Sequence, residues 1–134
     1  MSQENVDLTR RAFDAVARGD LTFVQELMAP DVVIVQPPEV PDAKTYEGRD
    51  AAISSWADWP QQWEDFRLEL VEVIDVDEDT VISVTRQRGR GRDSGIEMEF
   101  EVFFVAHARE GLMVRLEMFF DREQALRAAG ATAP

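Results

Sequence analysis

Two runs of strict alternation, back to back in residues 95–121, constrain this chain more than any other feature. In GIEMEFEVFFVAHAREGLMVRLEMFFD, the residues Ile96, Met98, Phe100, Val102, Phe104, Ala106 and Ala108 share one face, while Glu97, Glu99, Glu101 and His107 share the other. A period of two with one apolar face is the mark of a strand packed on one side. After Arg109-Glu110-Gly111 the pattern resumes, with Leu112, Val114, Leu116, Met118 and Phe120 set against Arg115, Glu117 and Asp121. A three-residue loop ending in glycine predicts a type I turn closed by a glycine bulge, a register that places Phe104 opposite Leu116 and Phe100 opposite Phe120. Two strands of this length need a large apolar layer to pack on, so the remainder of the chain is expected to fold against that face.

The rest of the sequence supplies such a layer. Residues 3–18 read as a helix with Val6, Phe13, Val16 and Ala17 on one face, ended by Gly19. Asp20 is placed to cap a second helix whose stripe is Leu21, Val24, Leu27 and Met28, stopped by Pro30. A short strand over Val32–Gln36 leads into a loop containing Pro37, Pro38 and Pro41. A third helix opens at Gly48-Arg49-Asp50, with Ile53 and Trp56 turned inward. Strands follow at Arg67–Val76 and Thr80–Arg92, and Asp121 caps a short last helix through Gln124, with a tail after Gly130. Helix, helix, strand, loop, helix and a four-stranded meander predict an α+β domain spanning residues 1–134: a strongly curved antiparallel sheet wrapped around three N-terminal helices, with a short C-terminal helix. Such a cone holds a pocket where the helices do not fill it.

Composition excludes several function classes. The chain has 134 residues and no cysteine, which removes thiolate metal sites and cysteine nucleophiles. Its net charge of −13 sets it against nucleic acids and anionic membranes as partners. No apolar run is long enough to span a bilayer, so a cytoplasmic protein is expected. The acidic turn Asp75–Asp79 resembles the start of a calcium loop, but Thr80 stands where that loop needs glycine and Arg86 where it needs a bidentate glutamate. No metal and no cofactor is therefore predicted. Arg86, Arg88, Arg90 and Arg92 alternate opposite Glu97, Glu99 and Glu101, which reads as an outward ladder of opposite charges.

The strings ARGDL at 17–21, PDVVI at 30–34, YEGRDA at 46–51 and EGLMVRLEMFFDREQALRAAG at 110–130 resemble the NTF2-like superfamily, in particular its SnoaL-like branch. The resemblance runs from about Asn5 to Gly130 and implies the same cone. It also implies positions for known chemistries. The steroid isomerase base falls on Gln36, its tyrosine on Ala12 and its second acid near Phe103 or Phe104. Glutamine takes no proton at neutral pH and phenylalanine donates nothing to an oxyanion. For limonene-type epoxide hydrolases the tyrosine falls on Ile34, the asparagine on Gln36 and the last acid on Met118, while the arginine matches Arg86. The polyketide cyclases of the branch need an inward acid or base, and the last two strands offer apolar residues instead.

Two classes follow for function. The first is a binder of a small hydrophobic molecule, apolar or aromatic, without catalysis, in a pocket drawn from Gln36, Tyr46, Trp56, Phe100, Phe104, Leu116 and Met118. The alternative is an isomerase, cyclase or hydrolase acting on a small hydrophobic substrate, with Gln36, Tyr46, Asp50 and Arg86 as its polar options. His107 has no carboxylate at a readable spacing and is expected outside. Period two also puts Phe103, Val105, Met113 and Phe119 on the outer face of the long strand pair. Left in water they form the kind of patch that marks an interface, so a homodimer on that face is expected, in keeping with the resemblance.

Overall fold

The structure is a computed structural model that describes residues 2–40 and 42–130. Pro41 and the tail beyond Gly130 lie outside the described residues. Helices α1 (Ser2–Ala17) and α2 (Leu21–Glu26) precede strand β1 (Met28–Val35). A short β2 (Thr45–Glu47) leads into α3 (Arg49–Asp58) and a 3₁₀ turn at Pro60–Gln62. Then come β3 (Trp63–Asp77), β4 (Thr80–Gly91), β5 (Glu97–Arg109), β6 (Leu112–Phe119) and α4 (Arg122–Ala128). The six strands form one curved open sheet in the order β2-β1-β6-β5-β4-β3. The fold is α+β, as the patterning predicts. One pair departs from the all-antiparallel expectation: β1 runs parallel to β6, which the long connection between them, through β2, α3 and β3 to β5, allows.

Local chemistry explains the element ends. Gly19, at φ +77°, closes α1 while Gly19 and Asp20 donate backbone hydrogen bonds to Val16 and Ala15, the Schellman arrangement. Asp20 therefore serves the end of α1; its side chain makes no cap bond to α2. Asp121 does cap α4, accepting the Gln124 amide at 3.0 Å. Helix α2 stops before Leu27, because Met28 is already in β1 and fully buried. Its carbonyl is held by the Arg49 side chain, at 2.6 Å from Nη2, which ties α3 to the strand.

Register differs from expectation at both hairpins. The β5–β6 turn has two residues, Glu110 and Gly111, both at positive φ, the type I′ geometry that suits strand twist. Val114 is then an extra residue, since His107 pairs with Arg115 and Ala108 with Met113. The two changes place Phe104 opposite Met118 and Ala106 opposite Leu116. They also turn Met113 inward, against Met28 and the helices, and not outward as alternation alone predicts. At the β4–β5 hairpin, Arg86, Arg88 and Arg90 face Glu101, Glu99 and Glu97. The shift is two residues, so the ladder keeps its outward face. Arg90 reaches Glu97 at 3.4 Å and Arg86 reaches Glu99 and Glu69 at 3.6 Å. Arg92 leaves the ladder and donates to the Gln61 carbonyl.

The sheet is covered on both sides. Helices α1, α2 and α3 fill the concave face around Ala15, Val24, Val32, Ile34, Ala52 and Leu116. On the convex face α4 lays Ala125, Leu126 and Ala129 over Ile82, Val84, Phe103 and Val105. This corrects the expected exposed patch: Phe103 is 2% and Val105 0% exposed within the single chain. Arg122 holds the helix down, with its guanidinium over the Phe103 ring and a 3.0 Å ion pair to Glu72. Phe103→Glu should therefore destabilise the protein by about 3 kcal/mol or more, because an unpaired carboxylate would be buried beneath α4. Thermal melts at several protein concentrations check this. The expected fall in Tm, on the order of 10 °C, is the same at every concentration; a fall seen only at low concentration would place Phe103 in an interface.

Candidate functional site

The concave face divides into two ends. At the helix-covered end Tyr46, paired with Ile34 across β1 and β2, and Trp56 from α3 pack against Leu116 in the main core. Phe104 joins this cluster to the other end, with its ring 6.2 Å from Phe13 of α1. Phe100 and Met118 belong to that other end, with Val40, Val102, Trp59 and Phe120. Gln36 is drawn into neither cluster. It closes the proline-rich loop instead, giving its backbone N–H to the Lys44 carbonyl and accepting the Lys44 N–H on Oε1 at 3.3 Å. The sequence-predicted residues thus gather as Tyr46, Trp56 and Leu116 in the main core and Phe100, Phe104 and Met118 in a second, partly buried aromatic cluster, here called the mouth of the concave face.

That mouth is built mainly from aromatic rings that are half-buried. Trp63, at the start of β3, lies 5.6 Å from Phe100 and 6.2 Å from Trp59, while Phe120 meets Phe100 edge-on at 6.1 Å. Such spacings are those of attractive aromatic pairs. Gly89 makes the arrangement possible: a Cβ there would stand 2.8 Å from the Trp63 Cβ, so only glycine lets the indole lie over β4. Beyond these rings the hairpin tip carries Ile96 and Met98, 62% and 49% exposed, with Met98 on the same face as Phe100 through its pairing with Gly89.

One polar file runs under the rings. Gln87 is completely buried, and its Oε1 accepts the Trp59 indole N–H at 2.8 Å. Its Nε2 donates to Thr85 Oγ1 at 3.1 Å, and that hydroxyl donates to the Val102 carbonyl at 3.0 Å. Sequence reasoning singled out Gln36 as the internal amide and passed over Gln87. The signal was available in the alternation of Ser83, Thr85 and Gln87 against the outward arginines, since residues between outward charges must point in. Trp63 Nε1 is different: it is buried and finds no hydrogen-bond partner among the described residues. Leaving such a donor unpaired costs about 1–3 kcal/mol.

No member of the mouth cluster carries a charge. The ionisable candidates lie elsewhere. Arg86 is exposed on the convex side, and Asp50 is exposed in the first turn of α3. His107 also faces out, and the strand pairing supplies the carboxylate that sequence spacing does not reveal: Glu117, from the neighbouring strand, lies 3.6 Å from Nε2 and also pairs with Arg115 at 3.5 Å. Glu117 lines an open cleft of about 380 Å³ at the end of β1 and β6, between the proline-rich loop at Pro37 and Pro38, Phe119 and Gln124 of α4, and two of the sequence-predicted residues, Gln36 and Met118, also line it. Among the described residues no group of three or more His, Cys, Asp and Glu is arranged to hold a metal, and no helix is long and apolar enough to cross a membrane.

Comparison with known proteins agrees with this architecture. An NTF2-like protein from Burkholderia thailandensis is 26% identical, with a TM-score of 0.77 over 96% of each chain. Bal32a, from a soil-derived mobile gene cassette, is 19% identical, with a TM-score of 0.78 over 96% of this chain and 97% of its own. A candidate SnoaL-like polyketide cyclase from a Jannaschia species is 20% identical, with a TM-score of 0.76 over 99% of this chain and 95% of its own. No curated protein matches the chain. The model of the SnoaL-like domain matches residues 9–116, from the first turns of α1 to Leu116 in β6. With most of its length covered by that match, the chain belongs to the SnoaL-like domain family, on the NTF2-like fold.

Proposed function

We propose that this protein binds a small, flat, apolar or aromatic molecule at the mouth of the concave face, without transforming it. One observation carries the reading: four aromatic rings, Trp59, Trp63, Phe100 and Phe120, pack in succession, the first held by a buried amide, with no ionisable side chain among them. Ligand sites are mostly apolar, and here the polar atoms of Trp59 and Gln87 are paired within the protein, which leaves ring surface to meet a ligand. Ile96 and Met98 extend the apolar surface outward to the hairpin tip, where a ligand would enter. The alternative class, an isomerase, cyclase or hydrolase, needs a proton acceptor beside the ligand. Gln36, where the isomerase base would fall, is engaged with Lys44; Phe103, one of the two positions for its second acid, lies under α4 on the opposite face.

The expected behaviour is direct. Naphthalene and biphenyl, titrated to their solubility limits, should change the tryptophan fluorescence saturably. Trp59→Ala and Phe100→Ala should each weaken binding about tenfold, the value of one aromatic platform. If neither compound binds, the mouth is packing and nothing more. A steroid enone and limonene epoxide should show no turnover above background, since losing even one oxyanion donor typically costs about 10²–10³ in rate. Turnover abolished by Gln36→Ala would establish the enzyme class instead.

Two copies are proposed to associate through the convex strip that α4 leaves open. The support is the half-buried row of Val33, Val35 and Phe119 beside Arg115 and Glu117, where charge pairs would set register more than affinity. Sedimentation equilibrium at micromolar concentration should give a dimer mass in the wild type and a monomer mass in Val35→Glu. A wild-type monomer excludes the association.

A further inference from the structure

We infer that the cleft at the end of β1 and β6 is a separate binding site, complete within one chain, for a protonated amine carried on a small apolar body. Glu117 is the counter-ion, and Phe119 with the two prolines takes the body.

The cleft is space that a molecule can enter. It is open, and its volume of about 380 Å³ lies within the range of small-molecule sites, about 300–1,000 Å³. It shares one residue, Met118, with the aromatic cluster of the mouth. Its apolar walls are Val35, Pro37, Pro38 and Phe119, brought together from β1, the proline-rich loop and β6. Neither proline has a backbone N–H to offer an anion. Two charged side chains line the cleft, Glu39 and Glu117, and both are carboxylates; no lysine, arginine or histidine lines it among the described residues. Glu39 is exposed, whereas the Glu117 side chain is only 20% exposed. A charge sheltered from water attracts an opposite charge more strongly than a solvated one does. The protein holds Glu117 loosely. Arg115 stands 3.5 Å from Oε2 and His107 3.6 Å from Oε1, against about 2.7–2.9 Å for a close charge-assisted bond. An ionised carboxylate has about four lone-pair sites, so Glu117 keeps acceptor capacity for a donor in the cleft. An ammonium supplies such donors. The Gln124 amide oxygen, also on the lining, can accept another, and the Phe119 ring attracts a cation that reaches its face. The net charge of −13 favours the approach of a cation and opposes that of an anion.

The test uses three molecules built on one ring: benzylammonium, benzyl alcohol and benzoate, titrated by calorimetry at neutral pH and low salt. In the wild type benzylammonium should bind saturably, one per chain and about tenfold more tightly than the alcohol, with benzoate weaker than either. Glu117→Gln should bring the amine to within about twofold of the alcohol. Glu123→Gln removes one negative charge from an exposed position on α4 outside the cleft, and should leave the preference in place. A second readout needs no variant: the ring protons of the bound amine should give nuclear Overhauser contacts to Val35 and Phe119. Amine binding no tighter than that of the alcohol or benzoate in the wild type overturns the inference. So does a preference that survives Glu117→Gln, or one that falls equally in Glu123→Gln and is therefore the work of overall charge. Contacts to Trp59 or Trp63 in place of Val35 and Phe119 put the amine at the mouth and overturn it too. Val35 and Phe119 also belong to the strip proposed to join two copies, so the titration is repeated at several protein concentrations. An affinity independent of concentration supports a site complete in one chain; binding seen only where copies associate overturns it. None of these outcomes bears on naphthalene at the mouth, so the two sites stand or fall separately.

Discussion

Strands β5 and β6 are apolar on the concave face, β4 and β5 carry an apolar strip of Ile82, Val84, Phe103 and Val105 on the convex one, and neither surface can be left bare in water. The paired phenylalanines express the constraint most plainly. Phe103 and Phe119 face each other on the convex side, while Phe104 and Phe120 point into the concave side. One layer of helices cannot serve both. The three N-terminal helices cover the concave face, and the seven-residue α4 covers the convex one. A helix so short is marginal by itself. It holds because Ala125 and Ala129 allow close approach, Asp121 caps its start, and Arg122 reaches across Phe103 to Glu72. Remove this cover and the apolar strip on β4 and β5 becomes the sticky surface that its sequence describes.

The concave side meets the same demand unevenly, and that unevenness makes the site. Under α1 and α3 the packing is complete, with Ala15 and Ala52 small enough to bring the helices down onto β1 and β6. Toward the Trp63 end the sheet outruns its helices, and large rings stand in for a second layer. Rings can close an apolar surface without burying themselves completely, which leaves them half-exposed and able to contact a flat molecule. The polar file on β4 serves both ends. It satisfies Trp59, anchors the end of α3 to the sheet, and stops short of Trp63. The charge ladder on the opposite face keeps that same stretch of β4 facing the right way: with arginines outward at 86, 88 and 90, Gln87 and Gly89 have only the interior to face.

The alternation in residues 95–121 was enough to fix the two long strands, the face each residue of β5 takes, and the α+β class. Period two is enforced by the backbone itself and needs no knowledge of neighbours. The outward Arg/Glu ladder was legible for the same reason, and a two-residue error in its register did no harm because it preserved the face. Loop length was not legible to that accuracy. Whether Glu110-Gly111 forms a two-residue turn, and whether Val114 bulges, depends on twist and on the need to set Met113 against Met28. The register change there reverses the face of Met113. The site was legible only in composition: an aromatic, uncharged interior with few polar groups. Its membership was decided by tertiary structure, because Trp59, Trp63, Gln87 and Phe100 come from separate elements and meet only through the β3–β4 and β4–β5 pairings and the descent from α3. The cover over Phe103 was decided there too. Exposure is a property of what lies above a residue, and alternation reports only the direction in which it points.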